Sequence, residues 1–88
     1  MLLENKVALI TGVGPGMGRS IATQFAREGA KLALAARRES RLQAVVDEAT
    51  AAGAEVVAVP TDITDRAACQ RLVDAAIERF GHIDILVA

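Results

Sequence analysis

Four glycines, Gly12, Gly14, Gly16 and Gly18, fall between a continuous apolar run, Val7-Ala8-Leu9-Ile10, and a segment with helical apolar spacing. A strand, a sharp turn and a helix in that order aim backbone N–H groups at one point, where a phosphate can accept them. Glycine loses more conformational freedom on folding than any other residue, so this density is a poor choice for a turn that only has to turn. Each glycine has a physical use. Gly12 lets the chain leave the strand abruptly, Gly16 lets backbone approach a pyrophosphate, and Gly18 lets the helix pack closely on the sheet. Pro15 stiffens the turn and has no N–H, so the donors must be its neighbours.

Other phosphate-binding patterns fit these letters less well. A P-loop ends in Gly-Lys-Ser/Thr, and Gly18-Arg19-Ser20 puts arginine where the lysine belongs. The general Gly-x-Gly-x-x-Gly fingerprint fails from Gly12, because Met17 fills its last slot. A methyl-transfer domain would carry an acidic residue ahead of its glycines, and Ile10-Thr11 stands there. Among other reactive residues, Cys69 is the single cysteine, so neither an intrachain disulfide nor a thiol metal cluster can form. Its place in an apolar helical pattern predicts a small core residue. His82 and Asp84 fall between a helix and the start of a strand, away from the glycines, and are expected to be structural. Ser20 and Ser40 have no general base placed to activate them.

The elements that hold the loop follow from periodicity. Strands are expected over 6–11, 31–36, 55–59 and 84–88. Helices are expected from Ile21 to Glu28, from Arg41 to Ala52 and from about Thr64 to Phe80, with Gly29, Gly53 and Gly81 as stops. Arg37–Ser40 reads as a polar loop, Pro60 as the end of the third strand, and Thr64 as an N-cap with Asp65 in the first turn. Cys69, Leu72, Val73, Ala76, Ile77 and Phe80 form the expected buried stripe of the third helix. Strictly alternating strands and helices imply an α/β architecture: a doubly wound parallel sheet of order 3-2-1-4, two helices on one face and the third on the other.

The sequence has 88 residues and a net charge of −1, which gives no reason to expect a nucleic-acid partner. Phe25 and Phe80 are the only aromatic residues, too few for a base-stacking platform. No apolar run reaches membrane-spanning length, and the N-terminus lacks the pattern of a secretory signal, so neither membrane nor export is expected and cytoplasm is the default. The last strand, Ile83 to Val87, is apolar for a solvent-facing edge, and one helix is little cover for the second face of four strands. The expectation is an incomplete sheet: the N-terminal part of a single domain in a longer chain, prone to associate through that edge when prepared alone.

Thr11-Gly12-Val13-Gly14-Pro15-Gly16-Met17-Gly18 resembles the Thr-Gly-x-x-x-Gly-x-Gly motif of the classical short-chain dehydrogenase/reductase family, and the likeness in element order and spacing covers essentially all 88 residues. The resemblance implies a Rossmann-like fold and an oxidoreductase moving hydride between a nicotinamide cofactor and a carbonyl or alcohol, with this chain as the cofactor-binding portion. It also implies that Thr11 helps hold the loop and that backbone near Met17 meets the phosphates. The end of the second strand reads the adenosine ribose, usually through a carboxylate. Here that slot is Ala36, followed by Arg37 and Arg38, with Arg41 nearby. A basic residue after a missing acid resembles NADP-preferring members, so NADP is expected over NAD. The resemblance assigns Asp62 to the adenine amino group and Ile63 to packing beside the ring.

The family's serine, and its tyrosine and lysine pair, find no match, and the sequence has no tyrosine. Ala88 stands where the family's Asn-Asn-Ala-Gly motif would begin. The chain alone is therefore expected to be inactive, its parent a homo-dimer or homo-tetramer acting on a small molecule. The alternative is a non-catalytic dinucleotide-binding module of the same fold.

Overall fold

The computed structural model describes residues 2–13 and 16–88. The elements run β1 (Val7–Ile10), α1 (Met17–Arg27), β2 (Lys31–Ala36), α2 (Glu39–Ala51), β3 (Val56–Pro60), α3 (Arg66–Phe80) and β4 (Ile85–Val87). All four strands are parallel, in the order β3-β2-β1-β4. Ala8 of β1 lies opposite both Leu32 of β2 and Ile85 of β4, which fixes the register of the central strands.

The two faces of the sheet are separate cores. Ala8 and Ile10 of β1 and Leu32, Leu34 and Ala36 of β2 point to one face, where Ala22 and Ala26 of α1 and Leu42, Val45 and Ala49 of α2 cover them. Leu9, Ala33 and Ala35 point to the other, against Leu72 and Ala76 of α3. Every residue of β1 is buried, which is why its sequence is apolar throughout rather than alternating. The doubly wound arrangement, two helices on one face and one on the other, is the one the sequence predicts.

Several boundaries differ from expectation. The α2 helix begins at Glu39, two residues early, so the β2–α2 connection is only Arg37-Arg38. Pro60 is the last residue of β3 rather than its terminator, paired in register with Ala36. It sits on an edge strand, where a missing N–H costs no ladder bond. Asp65, not Thr64, caps α3: its carboxylate accepts from the amides of Ala67 at 2.9 Å and Ala68 at 3.3 Å. The buried stripe of α3 is Ala68, Leu72 and Ala76. Cys69 and Phe80 are half-buried, and Val73 and Ile77 are exposed, because the single helix on this face has a neighbour beneath it and none beside it.

Candidate functional site

Ligands of open parallel sheets lie beyond the C-terminal ends of the strands, where the chain switches direction across the sheet. Here β1 is central, its crossover to β2 runs over one face, and the β3–β4 crossover runs over the other. The glycine loop leaves β1 at this switch point. Thr11 anchors its start: the amide donates to Val87 O at 3.0 Å, and the hydroxyl donates to the same oxygen at 3.4 Å. Gly12 follows in the left-handed region at φ +68°. Val13 is buried, and its amide donates to Ala35 O at 3.0 Å, which holds the first bend of the loop against β2. Gly14 lies outside the described residues.

Gly16 turns the chain into α1 at φ +101°, and no side chain caps the helix there. A Cβ at Gly12 or Gly16 would meet no atom within 4 Å, so both residues border open space that a ligand could enter. Gly18 is tight instead. A Cβ there would come within 2.9 Å of Gly12 O and 3.0 Å of Val13 Cα, so its close packing is against the loop itself. The Met17 side chain is exposed. These features fit the phosphates of a dinucleotide: among the described residues, a helix N-terminus without a side-chain cap, beside room for an anion.

Gly12, Ala36, Arg37, Thr61 and Ile63 line one crevice of about 150 Å³. The structure thus brings together predicted residues from the loop, the end of β2 and the β3–α3 connection. Thr61 is a lining residue the sequence reading passed over. It is buried, its amide donates to Ala36 O at 2.9 Å, and its hydroxyl donates to Val59 O at 2.8 Å. A threonine directly after a strand-ending proline was the available signal. Arg38 is exposed and precedes α2, outside the crevice lining.

Asp62 is held in one orientation. Its Oδ1 accepts from the Thr64 amide at 2.9 Å and from the Thr64 hydroxyl at 2.6 Å. Its Oδ2 faces the Arg37 guanidinium at 3.8 Å. The Thr64 hydrogen bonds, with a smaller contribution from the Arg37 charge, hold the carboxyl below its ordinary pKa.

Arg19, which follows the loop, is committed elsewhere. It forms a forked ion pair with Glu48 of α2, with Nε donating to Oε2 at 2.9 Å, at the wall of a larger depression between α1 and α2. His82 and Asp84 pair with each other at 2.9 Å at the opposite end of the sheet. Among the described residues, no group of three His, Cys, Asp or Glu could hold a metal ion, and no helix is long and apolar enough to cross a membrane.

A family model described as short chain dehydrogenase matches residues 6–88. The chain belongs to the short-chain dehydrogenase family. Its fold is that of dinucleotide-binding oxidoreductases. Glycine betaine reductase ATRR of Emericella nidulans is 48% identical over 86 residues, 98% of this chain and 7% of that protein. A short-chain dehydrogenase/reductase of Burkholderia phymatum, solved in complex with NAD, is 46% identical with a TM-score of 0.92, over 98% of this chain and 31% of that one. A short-chain dehydrogenase of Mycobacterium paratuberculosis bound to NAD is 30% identical with a TM-score of 0.94, over 100% of this chain and 37% of that one. The chain thus spans little more than a third of these family members at most.

The expected preference for NADP does not survive this comparison, since the Burkholderia protein, close in both sequence and structure, binds NAD. Arg37 is the residue that carried the expectation. Read along the sequence, it is a bare cation after a missing acid. In the fold, the Asp62 carboxylate of the neighbouring connection faces it.

Proposed function

We propose that this chain is the cofactor-binding portion of an NAD(H)-dependent oxidoreductase acting on a small carbonyl or alcohol substrate. The observation that carries this reading is the convergence of Gly12, Ala36 and Ile63 on one crevice at the C-terminal ends of the strands, beside an uncapped helix N-terminus. The family and its NAD-bound members support it. The glycine loop and the first turn of α1 hold the pyrophosphate, the Ala36–Arg37 corner holds the adenosine ribose, and Asp62 and Ile63 border the adenine.

When bound, the nicotinamide supplies the hydride chemistry, and the residues here bind and orient the cofactor. The sequence holds no tyrosine, so the groups that act at the substrate oxygen are assigned to residues outside these 88, which form the first part of one dinucleotide-binding domain. Homo-oligomeric assembly belongs to the same reading. Titration of the full-length protein with NADH, followed by nucleotide fluorescence, tests it. Saturable binding is expected, weakened at least about tenfold in Gly16→Val, whose side chain enters the ligand space from a left-handed backbone. No binding of NADH overturns the proposal.

A further inference from the structure

The first turn of α1 carries a charge of the wrong sign for its place. Arg19 is the third residue of that helix, where the helix dipole is positive, and no acidic residue stands in the turn to offset it. The offset comes from another element. Arg19 makes a forked contact with Glu48 of α2, Nε donating to Oε2 at 2.9 Å and Nη2 to Oε1. The Thr23 hydroxyl, which donates to Arg19 O at 3.0 Å, lies 3.5 Å from Glu48 Oε2. The Arg19 hydrogen bond holds the Glu48 carboxyl below its ordinary range, so the pair is ionised at neutral pH.

The contact joins two elements with different holds on the sheet. On α2, Glu48 stands beside the buried Val45 and Ala49. On α1, the buried residues are Ala22 and Ala26, farther along the helix, and its N-terminus has no side-chain cap. Around that end the seam between the helices opens into a depression of about 480 Å³, with Gly16, Arg19 and Glu48 in its wall. What holds this turn also holds the loop. Gly18, the neighbour of Arg19, lies so close to the loop that a Cβ there would meet Gly12 O at 2.9 Å and Val13 Cα at 3.0 Å. A tilt of the first turn therefore displaces the bend that borders the ligand space.

We propose that Glu48 is a positioning residue for dinucleotide binding: through Arg19 it ties the first turn of α1 to α2 and sets the orientation of the glycine loop. This inference rests on the dinucleotide-binding reading above and adds to it a residue outside the crevice.

The test is a titration of the full-length protein with NADH, and with adenosine as a competitor, in the wild type, Glu48→Gln, Glu48→Asp, Arg19→Ala and the Arg19→Ala/Glu48→Gln double variant. Glutamine keeps the size of the side chain at a half-buried position, so the fold is retained, as urea midpoints report. The expected result is a loss of NADH affinity of about threefold or more in Glu48→Gln, in line with an exposed pair of modest strength. Glu48→Asp, which keeps the charge on a shorter stem, should fall between this variant and the wild type. Adenosine has no phosphate for the loop to hold, so its affinity should stay unchanged. The loss should shrink at high salt and vanish when Arg19 is already alanine. A smaller loss, tighter binding, an equal loss for adenosine, or a loss of the same size without Arg19 overturns the inference while leaving dinucleotide binding intact. Failure of the wild type to bind NADH overturns the binding reading and this inference together.

Discussion

The Asp84 carboxylate accepts a hydrogen bond from the Val7 amide at 2.8 Å, joining residues 77 positions apart. The Asp84 amide donates in return to Val7 O at 2.9 Å, so the first residue of β1 and the residue before β4 clasp each other at the end of the sheet away from the glycine loop. One short parallel pairing is thereby closed at both ends, by Asp84 at its start and by Thr11 at its finish.

This clasp predicts an acid-sensitive contribution to stability. The Val7 N–H, followed by the His82 and Lys6 charges, holds the Asp84 carboxyl below its ordinary value near 3.8. A lowered pKa in the folded state means that the unfolded chain binds the proton first. The contribution is therefore complete above about pH 4 and is lost as pH falls through the lower folded value. Thermal melts of wild type and Asp84→Asn between pH 5 and pH 2.5 should show a shallower decline in the variant, whose amide oxygen still accepts from Val7 but cannot titrate. Parallel declines would contradict this.

Gly18 predicts a backbone-limited defect. In Gly18→Ala the new methyl meets Gly12 O and Val13 Cα, and neither can swing away as a flexible side chain could. The expected cost is about 1–3 kcal/mol from overpacking, read from urea midpoints, together with weaker NADH binding because the loop itself must shift. Gly53→Ala serves as the control. Its backbone is also left-handed, at φ +95°, but it lies far from the loop and should lose stability without a change in NADH affinity relative to the folded fraction.

The cap of α3 can be assigned by substitution. Asp65→Ala should destabilise by about 1 kcal/mol, and Asp65→Ser by less, since serine can accept from the same amides. Thr64→Ala should leave the cap intact and remove only the hydroxyl bond to Asp62, the amide bond remaining. Equal losses in Asp65→Ala and Asp65→Ser, in denaturant melts, would argue against the capping role.

Two leucines of similar sequence context should differ sharply. Leu34 is fully buried at the centre of β2, and Leu86 of β4 is 67% exposed. Leu34→Ala should cost about 2–5 kcal/mol by leaving a cavity, and Leu86→Ala less than about 0.5 kcal/mol. Both are read from the same denaturant series.

The comparison of these leucines shows where sequence reasoning stops. Both lie in continuous apolar runs, and periodicity cannot tell a central strand from one with an open side. The same limit applies to α3, where Val73 and Ile77 share helical spacing with Leu72 and Ala76 but fall outside the contact with the sheet. Thr64 and Asp65 are both good caps, so the sequence alone does not choose between them. The choice was made by Asp62, which engages Thr64 and leaves Asp65 to the helix amides.

The sequence by itself determined the strand and helix order, the two-faced sheet and the site of the glycine loop, because apolar runs, helical spacing and glycine positions are local properties written along the chain. Gly12, Ala36 and Ile63 could be named from the sequence for the same reason. Their meeting in one crevice, the enclosure of Thr61, and above all the pairing of Arg37 with Asp62 were decided by the tertiary structure. Those relationships depend on the parallel register of β2 and β3, which sets a residue of one connection beside a residue of another. A charge read alone along the chain has only its own sign. Its effect on a ligand depends on the opposite charge that folding places next to it.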